Sequence, residues 1–200
     1  MGKRLKGEER RRMLIEAALT LFARKGFQGT TTKEIALAAG CSEATLFKHF
    51  ATKDELYSAI LETKGRIEET LAKAQHAAAH KDDAGVFHAV GLEALTQTEH
   101  DPSLMRLLLF SALEGHPHSH LFIDTRVRRL HLFLSSYIEE RITDGVFRPV
   151  NSLIAARGFM GMIVHYLLLH EIYGVKRPAG FLPEQVVDMF VTLFCDGIKQ

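Results

Sequence analysis

Apolar residues recur along this chain every three or four positions, in one segment after another, and nowhere do they alternate with period two long enough for a convincing strand. Leu14, Ala17, Ala18, Leu21 and Phe22 place an amphipathic helix over roughly Glu8–Lys25, ended by Gly26. In the following stretch, TTKEIALAAGCSEATLFKHF, the pattern shortens to two small helices. Thr31 and Glu34 stand at capping-box spacing, and Ile35, Ala36 and Ala39 put small apolar groups on one face. Gly40 suits a helix C-terminus. Ser42 is an N-cap for a second helix carried by Leu46 and Phe50. Two short helices crossing steeply at a small-residue turn are a helix-turn-helix, with Ser42–His49 as the reading helix.

Thr52 and Glu55 repeat the capping pattern and open a helix carried by Leu56, Ile60, Ile67 and Leu71 as far as His80. Val86–Thr98 and Ser103–Glu114 follow, the latter entered through Asp101-Pro102. Gly115–Ser119 reads as a polar turn, and Ile123 to Ile142 as another long helix closed near Gly145. Two last helices, over about residues 151–173 and 183–199, are apolar on nearly every side and must be covered all round. They are either the centre of a monomer's core or a pair that meets its symmetry mate in a four-helix bundle, with Gly158 and Gly161 allowing close approach. The expectation is an all-α chain of about nine helices. A three-helix helix-turn-helix domain (1–51) precedes a larger helical effector-binding and dimerisation domain (52–200).

Charge sharpens this division. Residues 1–56 hold 11 Lys and Arg against 7 Asp and Glu, and residues 57–200 hold 14 against 17, so a head of +4 sits on a body of −3. A basic end on a mildly acidic body suits a polyanion met at one end only. Lys33, Lys48 and Lys53 are placed to bracket phosphates on both sides of a major groove. Thr31 and Thr45 offer hydroxyls, and Ser42, Ala44 and His49 complete the reading helix. Phe47 can touch a thymine methyl. Glu43 either accepts from cytosine N4 or serves the helix dipole. The arm Lys3, Arg4, Lys6 and Arg10–Arg12 enters an adjacent minor groove or remains a solvated tail.

The run from about Arg10 to Leu56 resembles the N-terminal domain of the TetR family of transcriptional regulators, through its ALTLFARKGFQGTT segment, IALAAGCSEATLFKHF and KDEL. The resemblance implies contacts at Thr31, Lys33, Thr45, Lys48, His49 and Lys53. It also implies a homodimeric repressor, joined through the last two helices, that leaves its double-stranded operator when a small molecule binds the body. Phe47 departs from the Tyr common at that position, and Glu43 from the Lys, Gln or Pro.

The body carries no motif. Phe87, Leu108, Phe110, His131, Phe133, Leu134 and Tyr166 are candidate walls for an apolar or aromatic effector. Arg126, Arg128 and Arg129 could hold an anionic one or be a solvated face. Glu114, His116, His118 and His120 form a candidate metal cluster, weakened by the missing helical spacing and the missing thiolates. Cys41 and Cys195 lie far apart and form no metal pair. No cofactor is implied. The catalytic fingerprints GxSxG, P-loop, GxGxxG and HExxH are all absent, so an enzyme is not expected. An architectural or cell-cycle DNA-binding factor without a small ligand is the remaining alternative. No signal-type segment opens the chain, and the longest apolar run, Phe159–Leu169, is too short to span a bilayer. A cytoplasmic protein without a membrane partner is expected, with the Thr52–His80 helix as lever between head and body.

Overall fold

The computed structural model describes residues 2–200, with the side chains of residues 7–117 and 120–200. Side chains of Lys3, Arg4, Lys6 and His118 lie outside the described residues. As expected, the protein is all-α. Its helices are α1 (Gly2–Lys25), α2 (Thr32–Ala38), α3 (Glu43–His49), α4 (Lys53–Lys64), α5 (Glu68–Ala79), α6 (Asp83–His100), α7 (Ser103–Leu113), α8 (Pro117–Phe122), α9 (Arg128–Thr143), α10 (Ser152–Leu167) and α11 (Pro183–Ile198). π-helical turns at Ile123–Val127 and Leu168–Ile172 precede α9 and follow α10.

Two compact units emerge. The first holds residues up to Arg66 together with Ser103–Ile123. Here α1 lies against α2, α4 and α7, around Leu14, Ala18, Phe22, Ile35, Leu46, Phe50, Leu56 and Tyr57, all buried. The second holds Ile67–Pro102 and Asp124–Gln200. Its α6 is covered by α5, α10 and α11, and α9 lies along α10. Phe87, Phe159 and Phe194 form a cluster of tilted and edge-on rings 4.8–5.3 Å apart. Gly91 lets α6 come close, since a methyl group there would touch Val187, Ile163 and Phe159. Arg141, almost wholly buried, donates to Asp83 (2.7 Å) and Asp144 (2.6 Å), and the Tyr137 hydroxyl donates to Asp83 (2.6 Å). A buried charge with its donors satisfied in this way is tolerated.

Three expectations are corrected. The single helix over Thr52–His80 is two helices, α4 and α5, parted at Gly65–Ile67. At the break, the ring of Phe122 and the Leu61 carbonyl occupy the space that a Cβ on Gly65 would need. Gly115–Ser119 is a turn only in its first half. Gly115 takes a positive φ of 66°, and Pro117 then opens α8 as a first-turn proline. Ser152–Ile172 is continuous helix over 21 residues, long and apolar enough by length and composition to cross a membrane, against the shorter run read from sequence. Its Ala156, Phe159, Ile163 and Leu167 are nevertheless buried in the core of the second unit.

The two last helices are not covered on every side. Ile154 (69% exposed) and Val164 on α10, with Met189 and Leu193 (62% exposed) on α11, face outward, and Cβ positions on Gly158 and Gly161 meet open space.

Replacing Gly65 by Ala forces Phe122 out of its site and should cost about 1–3 kcal/mol, as overpacking does. Urea denaturation of the variant checks this; a midpoint equal to that of the parent contradicts it.

Candidate DNA-binding interface

Helices α2 and α3 are seven residues each, too short to satisfy most of their own backbone groups. Side chains make up the difference. At the start of α2, the Thr31 hydroxyl accepts from the Glu34 N–H (3.2 Å) while the Glu34 carboxylate accepts from the Thr31 N–H (3.0 Å), a complete capping box. The ammonium of Lys25 donates to the same carboxylate at 2.6 Å. That bond first, and the Thr31 bonds after it, hold the Glu34 carboxyl down at about 2. At the other end of α2 the guanidinium of Arg10 donates to the carbonyls of Ala39 (2.8 Å) and Gly40 (3.3 Å). Gly40, with φ +64°, turns the chain so that the Cys41 N–H reaches the Ala36 carbonyl. Ser42 then caps α3 by accepting from the Thr45 N–H, and the two hydroxyls share a hydrogen bond of 2.9 Å. Glu43 accepts from the Thr32 hydroxyl, which ties the first turn of α3 to that of α2.

The segment between α1 and α2 is held just as tightly. Lys53 donates to the carbonyls of Phe27 (2.8 Å) and Thr30 (2.9 Å), with its ammonium 4.2 Å from the Phe27 ring centroid. From the far side of the sequence, Glu114 accepts from the N–H groups of Phe27 (3.0 Å) and Gln28 (3.3 Å). Gly26 is required there twice over: its φ is +75°, and a Cβ would collide with the Glu114 carboxylate. Beside this clamp the Tyr57 hydroxyl meets the Ser111 hydroxyl at 2.6 Å, and burial pushes the phenol up to about 12. His116, 8% exposed, lies 4.0 Å from the Phe27 ring and 5.0 Å from that of Tyr57, with Nε2 3.5 Å from Asp54.

These ties sort the positions singled out from sequence. Thr31, Lys33, Ser42, Ala44, Phe47 and Lys48 are exposed, while Glu43, Thr45, His49 and Lys53 are half-buried. Among the half-buried four, Glu43, Thr45 and Lys53 have polar ends engaged within the unit. Of the arm, Arg10 is a helix cap and Arg11 lies 4.9 Å from the Phe50 ring centroid. Neither the Arg10 cap, the Glu114 clamp nor the Tyr57–Ser111 pair beside it was legible in the sequence. Arg10 is 29 residues from its acceptor and Glu114 is 87 from its donor, so no local spacing announces either.

The family model for bacterial regulatory proteins of the tetR family matches residues 14–60, the segment that holds these helices. The N-terminal helix-turn-helix domain of this chain is of the tetR family. Over its length the chain is similar to the uncharacterized HTH-type transcriptional regulator YvkB of Bacillus subtilis (strain 168), 26% identical over 191 residues, 93% of this chain and 95% of the relative. It is 22% identical to the nucleoid occlusion factor SlmA of Haemophilus ducreyi over 95% of this chain and 79% of that one. Among solved structures, AibR in complex with isovaleryl coenzyme A and operator DNA superposes with a TM-score of 0.69 at 27% identity, covering 92% of this chain and 97% of AibR. YvkB, like the repressor KstR2 of Rhodococcus jostii, is named as a transcriptional regulator rather than an enzyme.

Outside the tetR-family domain, the structure scatters the candidate effector-lining residues. Phe87 is in the ring cluster of α6, α10 and α11, and Tyr166 stands against His170 and Phe190. His131 and Phe133 are half-buried on α9; burial, and then Arg157, lower the His131 pKa. Phe110 belongs to the first unit, on α7. Arg129 lies 3.4 Å from Glu68, with Arg126 3.9 Å from the same carboxylate. Among the described residues no three His, Cys, Asp or Glu side chains gather where a metal could sit; Glu114 and His116 serve the clamp instead.

Glu114→Ala leaves the Phe27 and Gln28 N–H groups without their acceptor and should cost about 1–3 kcal/mol, the usual penalty for orphaned donors. Hydrogen exchange at those two amides reads the effect directly, and unchanged protection in the variant contradicts the clamp.

Proposed function

We propose that this chain is a homodimeric, cytoplasmic transcriptional repressor. Residues 1–51 bind an operator in double-stranded DNA, residues 52–200 bind an effector and dimerise, and the protein leaves DNA when a small molecule with an apolar moiety binds. The observation that carries the DNA-binding part is the split among the head's cations. Arg10, Lys25 and Lys53 are committed to the head itself, whereas Lys33 and Lys48 stand exposed on the two helices of the helix-turn-helix. Exposed cations on both helices of the pair suit the phosphates that line a major groove. Lys53 has spent two of its three donors on carbonyls, so it contributes to the groove mainly by holding the segment before α2.

Dimerisation is supported by the outward apolar residues Ile154, Val164, Met189 and Leu193 beside open glycine positions on α10 and α11. Two heads then meet two half-sites about one DNA turn apart. The effector part is supported by the aromatic interior of the body and by the likeness to AibR, which was solved with an acyl coenzyme A and operator DNA together. Release follows if the effector prefers the state whose heads are wrongly spaced, and it can act only through that difference in affinity. The likeness to a protein named as a nucleoid occlusion factor supports keeping a second reading, an architectural or cell-cycle DNA-binding factor without a small ligand.

Gel-shift titration over a salt series, on duplexes selected in vitro by the whole protein, tests the proposal. Lys33→Ala and Lys48→Ala should each weaken binding and reduce the salt slope by about 2 per dimer, one phosphate per head. An unchanged slope in both sinks the groove assignment. Adding isovaleryl coenzyme A to the same titration should release the parent protein; retained binding, with no change in melting temperature, favours the ligand-free reading.

A further inference from the structure

The exposed face of the reading helix is apolar where sequence specificity is decided. Ala44 and Phe47 are three residues apart on α3, hence on one side of the helix, and both are exposed. Phe22, Phe50 and Tyr57 of the same unit are fully buried, yet the Phe47 ring is left 47% exposed. Two polar side chains beside this pair, Glu43 and Thr45, are engaged within the unit. Glu43 accepts from the Thr32 hydroxyl, and the Thr45 hydroxyl is bonded to that of Ser42. No Asn or Gln stands anywhere on α3, so the helix lacks the side chains that pair bidentately with adenine.

In the major groove, thymine is the one base that presents an apolar group, its 5-methyl. We propose that Phe47, with Ala44 beside it, reads thymine 5-methyl groups, so that the operator is recognised chiefly by apolar contact while Lys33 and Lys48 hold the phosphates. This inference rests on the DNA-binding reading above. It resolves the two options open for Glu43 against the cytosine contact, because that carboxylate braces the start of α3 against α2. It also extends the ligand class: 5-methylcytosine carries the same methyl at the same place on the groove floor and should be accepted where thymine is.

The test uses the whole protein and a duplex enriched by it from a randomised library. Each thymine of the enriched site is replaced in turn by deoxyuridine, which removes only the methyl. The parent protein should lose about fourfold in affinity at one or two positions per half-site, the effect of one buried methyl group. At those positions cytosine should bind weakly and 5-methylcytosine should recover part of the loss. Phe47→Ala should bind the thymine and deoxyuridine duplexes equally. No deoxyuridine penalty at any position in the parent overturns the inference even if Phe47→Ala folds poorly. A penalty that persists undiminished in Phe47→Ala overturns the assignment to that ring. Failure of the parent to enrich any site contradicts the DNA-binding reading itself.

Discussion

A helix of seven residues cannot satisfy its own ends, and two such helices in succession form the surface this protein presents. Each leaves most of its N–H and C=O groups without an intrahelical partner, and isolated helices of that length do not persist in water. The head therefore exists as a set of borrowed caps. Thr31, Glu34 and Ser42 satisfy donors locally; Arg10 satisfies the acceptors at the end of α2; Lys53 and Glu114 fix the carbonyls and amides of the segment entering it. Apolar burial of Ile35, Ala36, Leu46 and Phe50 supplies the driving force, but the charged caps determine how the two helices are aimed.

The same economy decides which groups remain for a partner. Cations whose donors are taken by backbone carbonyls are poor phosphate ligands, so with Arg10 and Lys53 tied internally the exposed cations on α2 and α3 are Lys33 and Lys48. Carboxylate and hydroxyl ends on α3 are likewise engaged, which leaves an apolar patch at the front of the reading helix. In the other unit the polar atoms of Arg141, Asp83 and Tyr137 satisfy one another, while Ile154, Val164, Met189 and Leu193 leave apolar groups exposed on α10 and α11.

What could be read from sequence was whatever is encoded within a turn or two of chain. The capping box at Thr31 and Glu34, the positive φ at Gly40, the Ser42 cap and the buried Leu46 and Phe50 all follow from spacing. The break at Gly65 was missed because Ile67 and Leu71 continue the helical period across it; the ring packed against Gly65 there, Phe122, comes from far along the chain. Arg10 looked like part of an arm bound for a minor groove or left in solvent, and Glu114 like a companion to nearby histidines, since their partners are brought close only by the fold. The body gave least away, because an apolar helix reads the same whether it faces a core, a ligand or a second copy.

In the proposed complex two such heads sit in adjacent major grooves on one face of a duplex. Hydroxyl-radical footprinting of the whole protein on a selected operator measures that directly. Two protected stretches on the same face are expected, about 10 base pairs apart from centre to centre. A single protected stretch, or uniform weak protection along the duplex, would contradict it.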